Sequence, residues 1–301
     1  MDFTKIPNVV LFIITLICAV ASSNYKAYYV KKTMKFESEQ YSFNTGASLI
    51  CAFVLFALNG FNMSLSWYSF LMGAAFGVLT MVNALVNAKA IKIGPLGYTT
   101  VIMSLSTAIT ALSGAIFWDE VLSVFKVIGI ILMLVCFVFA VDLEDSKEKK
   151  ANINWFILCV FCLLTCAAIG LMQKVHQTSE YKNELMPFLV VAFLVSAAIS
   201  YAGYLVQKKK EPQIEIQESK KQKCFYFGLA LLICGVGVAG NNALNLYLSG
   251  AMDTAIFFPI ANGVPLLSAL VVSFVLFKEK LKRKQMIGLI IGLIAIGCLF
   301  L

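Results

Sequence analysis

Hydrophobic residues in this chain come in long, nearly unbroken runs with short polar punctuation, not at the period of a half-buried strand or of an amphipathic surface helix. Ten runs stand out, at residues 8–27, 43–60, 67–90, 96–118, 124–141, 153–174, 185–206, 224–248, 254–277 and 285–301. A helix needs about 20 apolar residues to cross about 30 Å of hydrocarbon. The pattern therefore predicts an all-α polytopic membrane protein with ten transmembrane helices. Two connections are strongly charged, "DLEDSKEKK" at 142–150 and "QKKKEPQIEIQESKKQK" at 207–223. The second lacks aromatic residues and reads as a mobile loop.

The first charged connection marks the midpoint, and the halves match. A shift of 159 residues sets Asn83-Ala84-Leu85 on Asn242-Ala243-Leu244, and without a gap it sets Glu120 on Glu279, Leu122 on Leu281 and Gly129 on Gly288. A shift of 148 sets Leu16, Cys18, Ala19 and Lys26 on Leu164, Cys166, Ala167 and Lys174. The expected organisation is two five-helix repeats, 1–145 and 146–301. With an odd number of spans, the second copy enters the membrane from the opposite side, so the duplication is inverted. Inverted repeats place a solute site near the midplane, where the repeats meet.

The closing segment "NGVPLLSALVVSFVLFKEKLKRKQMIGLIIGLIAIG", 262–297, carries a proline, an apolar run, a Glu-x-Leu pair and a Gly-rich last helix. Pro265, Glu279, Leu281 and Gly288 resemble the signature of the EamA-type drug/metabolite transporter superfamily. "FWDEVLSVFKVIG", 117–129, repeats the pattern with Glu120, Leu122 and Gly129, although the first half has Ser106 where the second has Pro265. The resemblance implies ten helices in two inverted five-helix repeats and the movement of small metabolites or drugs. It also implies that the third and eighth helices border the central pathway.

Composition narrows the class. The chain is 60% apolar and 13% charged, with a mean hydropathy of +0.86. A soluble domain carries about a quarter charged residues. The formal charge of +8 comes from lysines between the apolar runs, with no aromatic-interleaved basic patch, which argues against a nucleic-acid partner. Twenty of the 24 Lys and Arg residues fall in one set of alternate loops. The positive-inside rule makes those loops cytoplasmic and both termini outside a cell membrane, opposite to the usual arrangement of the family it resembles. Most of the nine cysteines lie within the runs, and Cys159-x-x-Cys162 lacks nearby polar ligands, so they read as small apolar packing groups. Val9–Ala21 has the look of a signal-peptide core, but Asp2 offsets Lys5 and the segment has a counterpart in the second half, so it reads as an uncleaved first span.

Candidate chemistry is sparse. Asp119, Glu120, Asp253 and Glu279 fall at helix ends, where Glu120 and Glu279 suit the starts of the fifth and tenth helices, and Asp253 with Thr254 suits the start of the ninth. Lys26 and Lys174 end the first helix of each half and read as snorkelling towards headgroups. One histidine, His176, near a helix end, suits an interfacial position and offers no cluster for a metal or a triad. No phosphate-binding pattern appears. The expectation is therefore a protein that is not an enzyme, with no catalytic residues, metal or cofactor.

What remains is neutral polarity placed with pattern. Asn83 and Asn87 share one face of the third span, and Asn241 and Asn245 one face of the eighth, with Asn242 the repeat mate of Asn83. An unpaired amide in an apolar medium costs several kcal/mol, so these side chains either bond across helix interfaces or meet a wet cavity. In the ninth span, Pro259 and Pro265 break the backbone ladder around Asn262, and Ser104 and Thr107 lie on the mate helix. Asn24 and Tyr28 could close one mouth. Gly73-x-x-x-Gly77 and Gly288-x-x-x-Gly292 read as close-packing surfaces. The combined expectation is an alternating-access transporter for a small polar uncharged or zwitterionic solute of amino acid, nucleoside or sugar type. The partners are that solute and the bilayer, and no oligomer is required. The alternatives are a non-transporting scaffold or accessory subunit, and efflux of drugs or organic cations.

Overall fold

A computed structural model describes residues 6–33, 36–140, 152–210, 220–276 and 282–301. Among these the protein is helical, with α1 (Asn8–Thr33), α2 (Glu37–Leu58), α3 (Trp67–Ile93), α4 (Leu96–Ser104), α5 (Ser106–Phe117), α6 (Val124–Ala140), α7 (Ile153–Thr178), α8 (Leu185–Lys208), α9 (Lys220–Ala251), α10 (Thr254–Leu276) and α11 (Arg283–Leu299). Each apolar run of the sequence becomes helix over its described residues, because an apolar backbone in a low-dielectric setting must close its own hydrogen bonds. The loop expected at 207–223 and the charged midpoint at 142–150 lie largely outside the described residues, as does Glu279.

Six helical stretches are long and apolar enough to cross a membrane: Glu37–Leu58, Trp67–Ile93, Tyr98–Phe117, Ile153–Thr178, Lys182–Lys208 and Tyr226–Ala251. Shorter apolar helices cover Asn8–Ser22, Val124–Ala140 and Thr254–Ser268. The surface agrees with a lipid setting. On α11, Ile287, Ile290, Leu293 and Ile294 are exposed while Gly288, Gly292, Ala295 and Leu299 are buried. Contiguous apolar surface of that kind is rare on a protein surrounded by water. These features are those of a multi-pass membrane protein.

Helix ends follow local chemistry. At the end of α2 the Phe61 N–H reaches the Phe56 carbonyl at 2.9 Å and the Gly60 N–H the Ala57 carbonyl at 3.0 Å, with Gly60 at φ 67°. This is a Schellman closure, and it needs the left-handed backbone that glycine supplies. At the end of α5 the left-handed residue is Asp119, φ 52°, a side chain that tolerates this region.

The chain forms two compact units, residues 1–81 with 176–247 and residues 82–175 with 248–301. Their boundaries fall inside α3, α7 and α9, so each unit draws on both halves of the sequence. The units thus cut across the expected repeats, 1–145 and 146–301.

In the first unit α2 and α8 run antiparallel. Gln207 near the end of α8 donates to Glu37 at the start of α2 at 3.0 Å, and Tyr41 lies over Gly203. α3 presses on α8 through its glycines: a β-carbon at Gly73 would lie 2.6 Å from the Phe188 carbonyl oxygen, and one at Gly77 would collide with that of Ala192. Gly73-x-x-x-Gly77 is thus a close-approach surface, as its spacing suggests. Tyr29, Phe43 and Phe227 stack into one aromatic cluster joining α1, α2 and α9.

In the second unit α6 and α11 run antiparallel. A β-carbon at Gly129 would lie 2.7 Å from Leu299, and one at Gly288 would lie 3.0 Å from the Ala140 backbone nitrogen. Adding 159 to Gly129 and Ala140 gives Gly288 and Leu299, so the two contacts exchange under the sequence shift. Gly292 meets Leu267 of α10 and Cys136 of α6, completing the second glycine surface. The eight described cysteines are free thiols, and Cys51, Cys136, Cys159 and Cys162 are fully buried.

Candidate functional site

Of the neutral polar groups singled out by the sequence, the second unit holds Asn83, Asn87, Ser104, Thr107 and Asn262. In α3, the Asn83 amide nitrogen donates to three acceptors on α7: the Cys162 carbonyl at 3.0 Å, Thr165 Oγ1 at 2.6 Å and Cys166 Sγ at 3.3 Å. One turn on, Asn87 makes no side-chain hydrogen bond among the described residues, and its carbonyl oxygen is buried without a partner. The two asparagines share a helix face yet differ in kind. Asn83 ties α3 to α7, and Asn87 holds a buried acceptor that nothing among the described residues pairs.

The fourth apolar run breaks where no proline demands it. α4 ends at Ser104, α5 starts at Ser106, and at Leu105 the backbone switches to shorter i−3 bonds, with the Leu105 N–H on the Ile102 carbonyl at 3.2 Å. Ser104 Oγ donates to the Val101 carbonyl at 2.7 Å, offering that backbone oxygen a side-chain partner. The shift of 159 carries Ser106 onto Pro265, so the helix is irregular at the repeat-equivalent position although the residue differs. In α10, Pro259 and Pro265 lie inside the helix, leaving the carbonyls of Ala255 and Ala261 without their i+4 donors. Asn262 is exposed, and its amide nitrogen donates to buried Thr107 Oγ1 on α5 at 3.1 Å. The structure thus joins Asn262 and Thr107, beside both irregular stretches.

At one end of this unit the structure revises three sequence expectations. Lys174 does not snorkel outward: it is 4% exposed, and its Nζ lies 2.8 Å from Glu120 Oε1 and 3.1 Å from the Met252 carbonyl. Glu120 does not serve the start of the following helix, α6. Its Oε2 accepts the Thr254 N–H at 2.7 Å and Thr254 Oγ1–H at 2.8 Å, capping α10 instead. The left-handed turn at Asp119 sends Glu120 back across Gly114, whose missing side chain leaves room for the carboxylate and for Thr254. Asp253, expected as a cap, contributes its backbone carbonyl to the Ile256 and Phe257 N–H groups at 3.1 and 2.9 Å, while its side chain holds Lys126 at 2.7 Å. A buried ion pair in an apolar chain is the strongest feature missed by sequence reasoning. Its partners lie far apart along the chain, and each alone looks like an ordinary helix-end charge.

The first unit holds Asn241, Asn242 and Asn245 on α9. Asn245 Nδ2 donates to Asn241 Oδ1 at 3.2 Å, leaving the Asn245 carbonyl buried and unpaired. Asn242 Nδ2 turns back onto the Val238 carbonyl of its own helix at 2.9 Å. Asn24 and Tyr28 belong to α1, but their side chains lie outside the described residues. His176 is fully buried rather than interfacial. Its Nδ1 is 3.0 Å from the Gln177 amide nitrogen and its Nε2 3.1 Å from Ser69 Oγ. An amide nitrogen only donates, so Nδ1 accepts and Nε2–H donates to Ser69. Phe188 packs on the imidazole at 4.3 Å between ring centroids.

No protein-family model and no curated protein matches the chain. Solved structures do match. One of them, described only as "Crystal structure of protein", superposes with a TM-score of 0.71 over 97% of this chain and 95% of that one, at 14% identity. At that identity the likeness is one of fold.

Proposed function

We propose that this protein is a membrane transporter of EamA type, with ten spans in two inverted five-helix repeats, moving a small polar uncharged or zwitterionic solute by alternating access. The observation that carries the reading is the pair of irregular helices in the second unit. The α4–α5 break and the Pro265 region of α10 occupy repeat-equivalent positions, and Asn262 bonds to Thr107 beside them. Irregular backbone at membrane depth is tolerated where it is buried in protein or lines water, and discontinuous helices commonly frame transporter sites. The exchange of the Gly129–Leu299 and Gly288–Ala140 contacts under the shift of 159 supports inverted duplication. The distribution of Lys and Arg favours cytoplasmic basic loops with both termini outside.

The bonding of Asn83 to α7 favours a second reading, in which the asparagines act as interhelical ties in a non-transporting scaffold. Solute binding separates the two. Detergent-purified protein is screened against a metabolite library for thermal stabilisation, and hits are taken into proteoliposome flux assays. Transport predicts hits that cross the bilayer and weaken with Asn262→Leu or Asn87→Leu. A scaffold predicts no hits, with Asn83→Ala and Asn262→Leu altering only the melting temperature.

A further inference from the structure

The charged ties of the second unit crowd at one end. There Glu120 Oε1 holds Lys174 of α7 at 2.8 Å, and Oε2 accepts the Thr254 N–H at the start of α10 at 2.7 Å. Thr254 Oγ1 lies within hydrogen-bond reach of both Glu120 Oε2, at 2.8 Å, and the Ala111 carbonyl of α5, at 3.0 Å. Lys174 also donates to the Met252 carbonyl at 3.1 Å, and Lys126 of α6 holds Asp253 at 2.7 Å. Four helices, α5, α6, α7 and α10, are thus drawn together around one carboxylate and its neighbours.

Burial follows the same direction. Thr110, Thr254, Phe257, Phe258 and Ile260 are no more than 4% exposed, and a β-carbon at Gly170 of α7 would lie 2.7 Å from Thr110 and 3.1 Å from Phe258. Further from the ion pair the packing loosens: Asn262 and Leu105 are exposed, and Ser104 and Pro265 are half-buried. The shift of 148 carries Lys174 back onto Lys26, which is exposed on α1 and donates to Asn44 Oδ1 at 2.9 Å. Of two repeat-equivalent lysines, one is buried in an ion pair and the other is exposed.

We infer that the Glu120–Lys174–Thr254 cluster is a closed gate of the transport pathway, which must open for solute to pass from Asn262 and Thr107 towards this end. A buried ion pair suits that task because its two states are discrete. Intact, it fixes the α5–α6 turn, α7 and α10 together; broken, each partner needs the water that opening supplies. Alternating access between inverted repeats requires such inequality between equivalent positions. The inference rests on the transport reading and adds which end of the second unit is shut in this conformation.

The test reads solvent access from each face of the membrane. Asn262→Cys in a cysteine-free background is labelled with an impermeant maleimide in intact cells and in inside-out vesicles. Val121→Cys, next to Glu120 and 79% exposed, identifies the face on which the gate lies. With the pair intact, Asn262→Cys should react at least about tenfold more slowly from the Val121 face than from the other. Lys174→Met should raise the rate from the Val121 face by at least about tenfold without raising it from the other, because only the closed state contains the pair. Thr254→Val, which cuts the reach to Ala111 and leaves the ion pair, gives the same one-sided rise should Lys174→Met fail to fold.

Reactivity of Asn262→Cys that is equal or faster from the Val121 face with the pair intact would overturn the inference. So would a Lys174→Met variant whose Val121-face rate is unchanged, or one that rises on both faces alike, since losing a merely structural tie loosens the bundle without preference. If a solute crosses proteoliposome membranes while Lys174→Met leaves both rates unchanged, the inference falls and the transport reading stands. If Asn262→Cys reacts from neither face, with or without Lys174, no aqueous path reaches the unit and both fall.

Discussion

The Glu120–Lys174 pair allows a quantitative test of how this chain tolerates charge. The two side chains are 13% and 5% exposed at an Nζ–Oε1 distance of 2.8 Å. Removing one partner of a buried pair costs about 3–5 kcal/mol, because the survivor stays desolvated without its counter-charge. The structure predicts that the two single variants are unequal. In Lys174→Met the carboxylate keeps the Thr254 N–H and hydroxyl at the α10 start, so the loss falls below that range, about 2–3 kcal/mol. In Glu120→Gln the ammonium keeps the Met252 carbonyl and the face of Trp118, 6.0 Å away, but loses its counter-charge. Gln also returns only one carbonyl oxygen for the three hydrogen bonds that the carboxylate accepts, so this variant loses the full about 3–5 kcal/mol. The double variant should recover part of the loss, since replacing both charges of a buried pair is often close to neutral.

For a chain of this size each kcal/mol moves the midpoint by about 2–4 °C. Glu120→Gln should therefore melt on the order of 10 °C below wild type, with Lys174→Met in between. Scanning fluorimetry of the four proteins in one detergent reads this directly, and Trp118 beside Lys174 supplies a local signal. Two single variants within about 1 °C of wild type, or a double variant as unstable as the sum of the singles, would refute the argument that the pair is buried and coupled.

Three further outcomes follow from packing, hydrogen bonding and orientation. Gly77→Val must push α3 off the Ala192 carbonyl of α8, whereas Gly297→Val meets nothing within 4 Å; the first should lower the melting temperature by on the order of 10 °C and the second by little. His176→Phe keeps an aromatic ring against Phe188 but removes the imidazole bonds to Ser69 Oγ and the Gln177 amide, which keeps its bond to the Lys182 carbonyl; two lost hydrogen bonds make an expected loss of about 1–3 kcal/mol, and equal stability would refute that network. A single cysteine at Lys210 in a cysteine-free background should escape an impermeant maleimide in intact cells and react after permeabilisation; labelling of intact cells would reverse the proposed orientation.

Depth along each helix was legible in the sequence, and direction around it was not. The apolar runs at 67–90 and 153–174 locate α3 and α7, whose observed ends lie at Ile93 and Thr178, because the length of an uncharged stretch is what a low-dielectric slab selects. The glycine spacings were legible for a related reason: a residue without a side chain on a packed face has one use there. Lys174 and His176 were misplaced because hydropathy records only that a polar residue lies near a helix end. It does not record whether that end turns towards water or towards a neighbour. The neighbour of Lys174 is a carboxylate aimed by the left-handed turn at Asp119, which no period in the sequence announces. Asn83 and Asn87 illustrate the same limit within one turn of one helix. Both amides are on the expected face, yet a small difference in azimuth gives one a full set of acceptors on α7 and leaves the carbonyl of the other unpaired.

The mismatch between Ser106 and Pro265 carries a consequence for how the two irregular helices can behave. Proline lacks the N–H altogether, so the ladder of α10 stays open at Pro259 and Pro265 in every state of the protein. The break between α4 and α5 has a different origin. Leu105 and Ala108 keep their N–H groups and merely bond three residues back, to Ile102 and Leu105, at 3.2 and 3.0 Å. Ser104 Oγ holds the Val101 carbonyl meanwhile. That arrangement can revert to a continuous helix: the Val101 carbonyl exchanges a hydroxyl for the Leu105 N–H, both backbone donors keep one bond each, and the Ser104 hydroxyl alone is released. One helix of the pair is therefore permanently irregular and its mate only conditionally so. A pair of helices that carried proline in both members would lack this asymmetry. If the second unit changes conformation, the energetically inexpensive place to do so is the segment from Val101 to Ala108, with Thr107 carrying the change directly to Asn262.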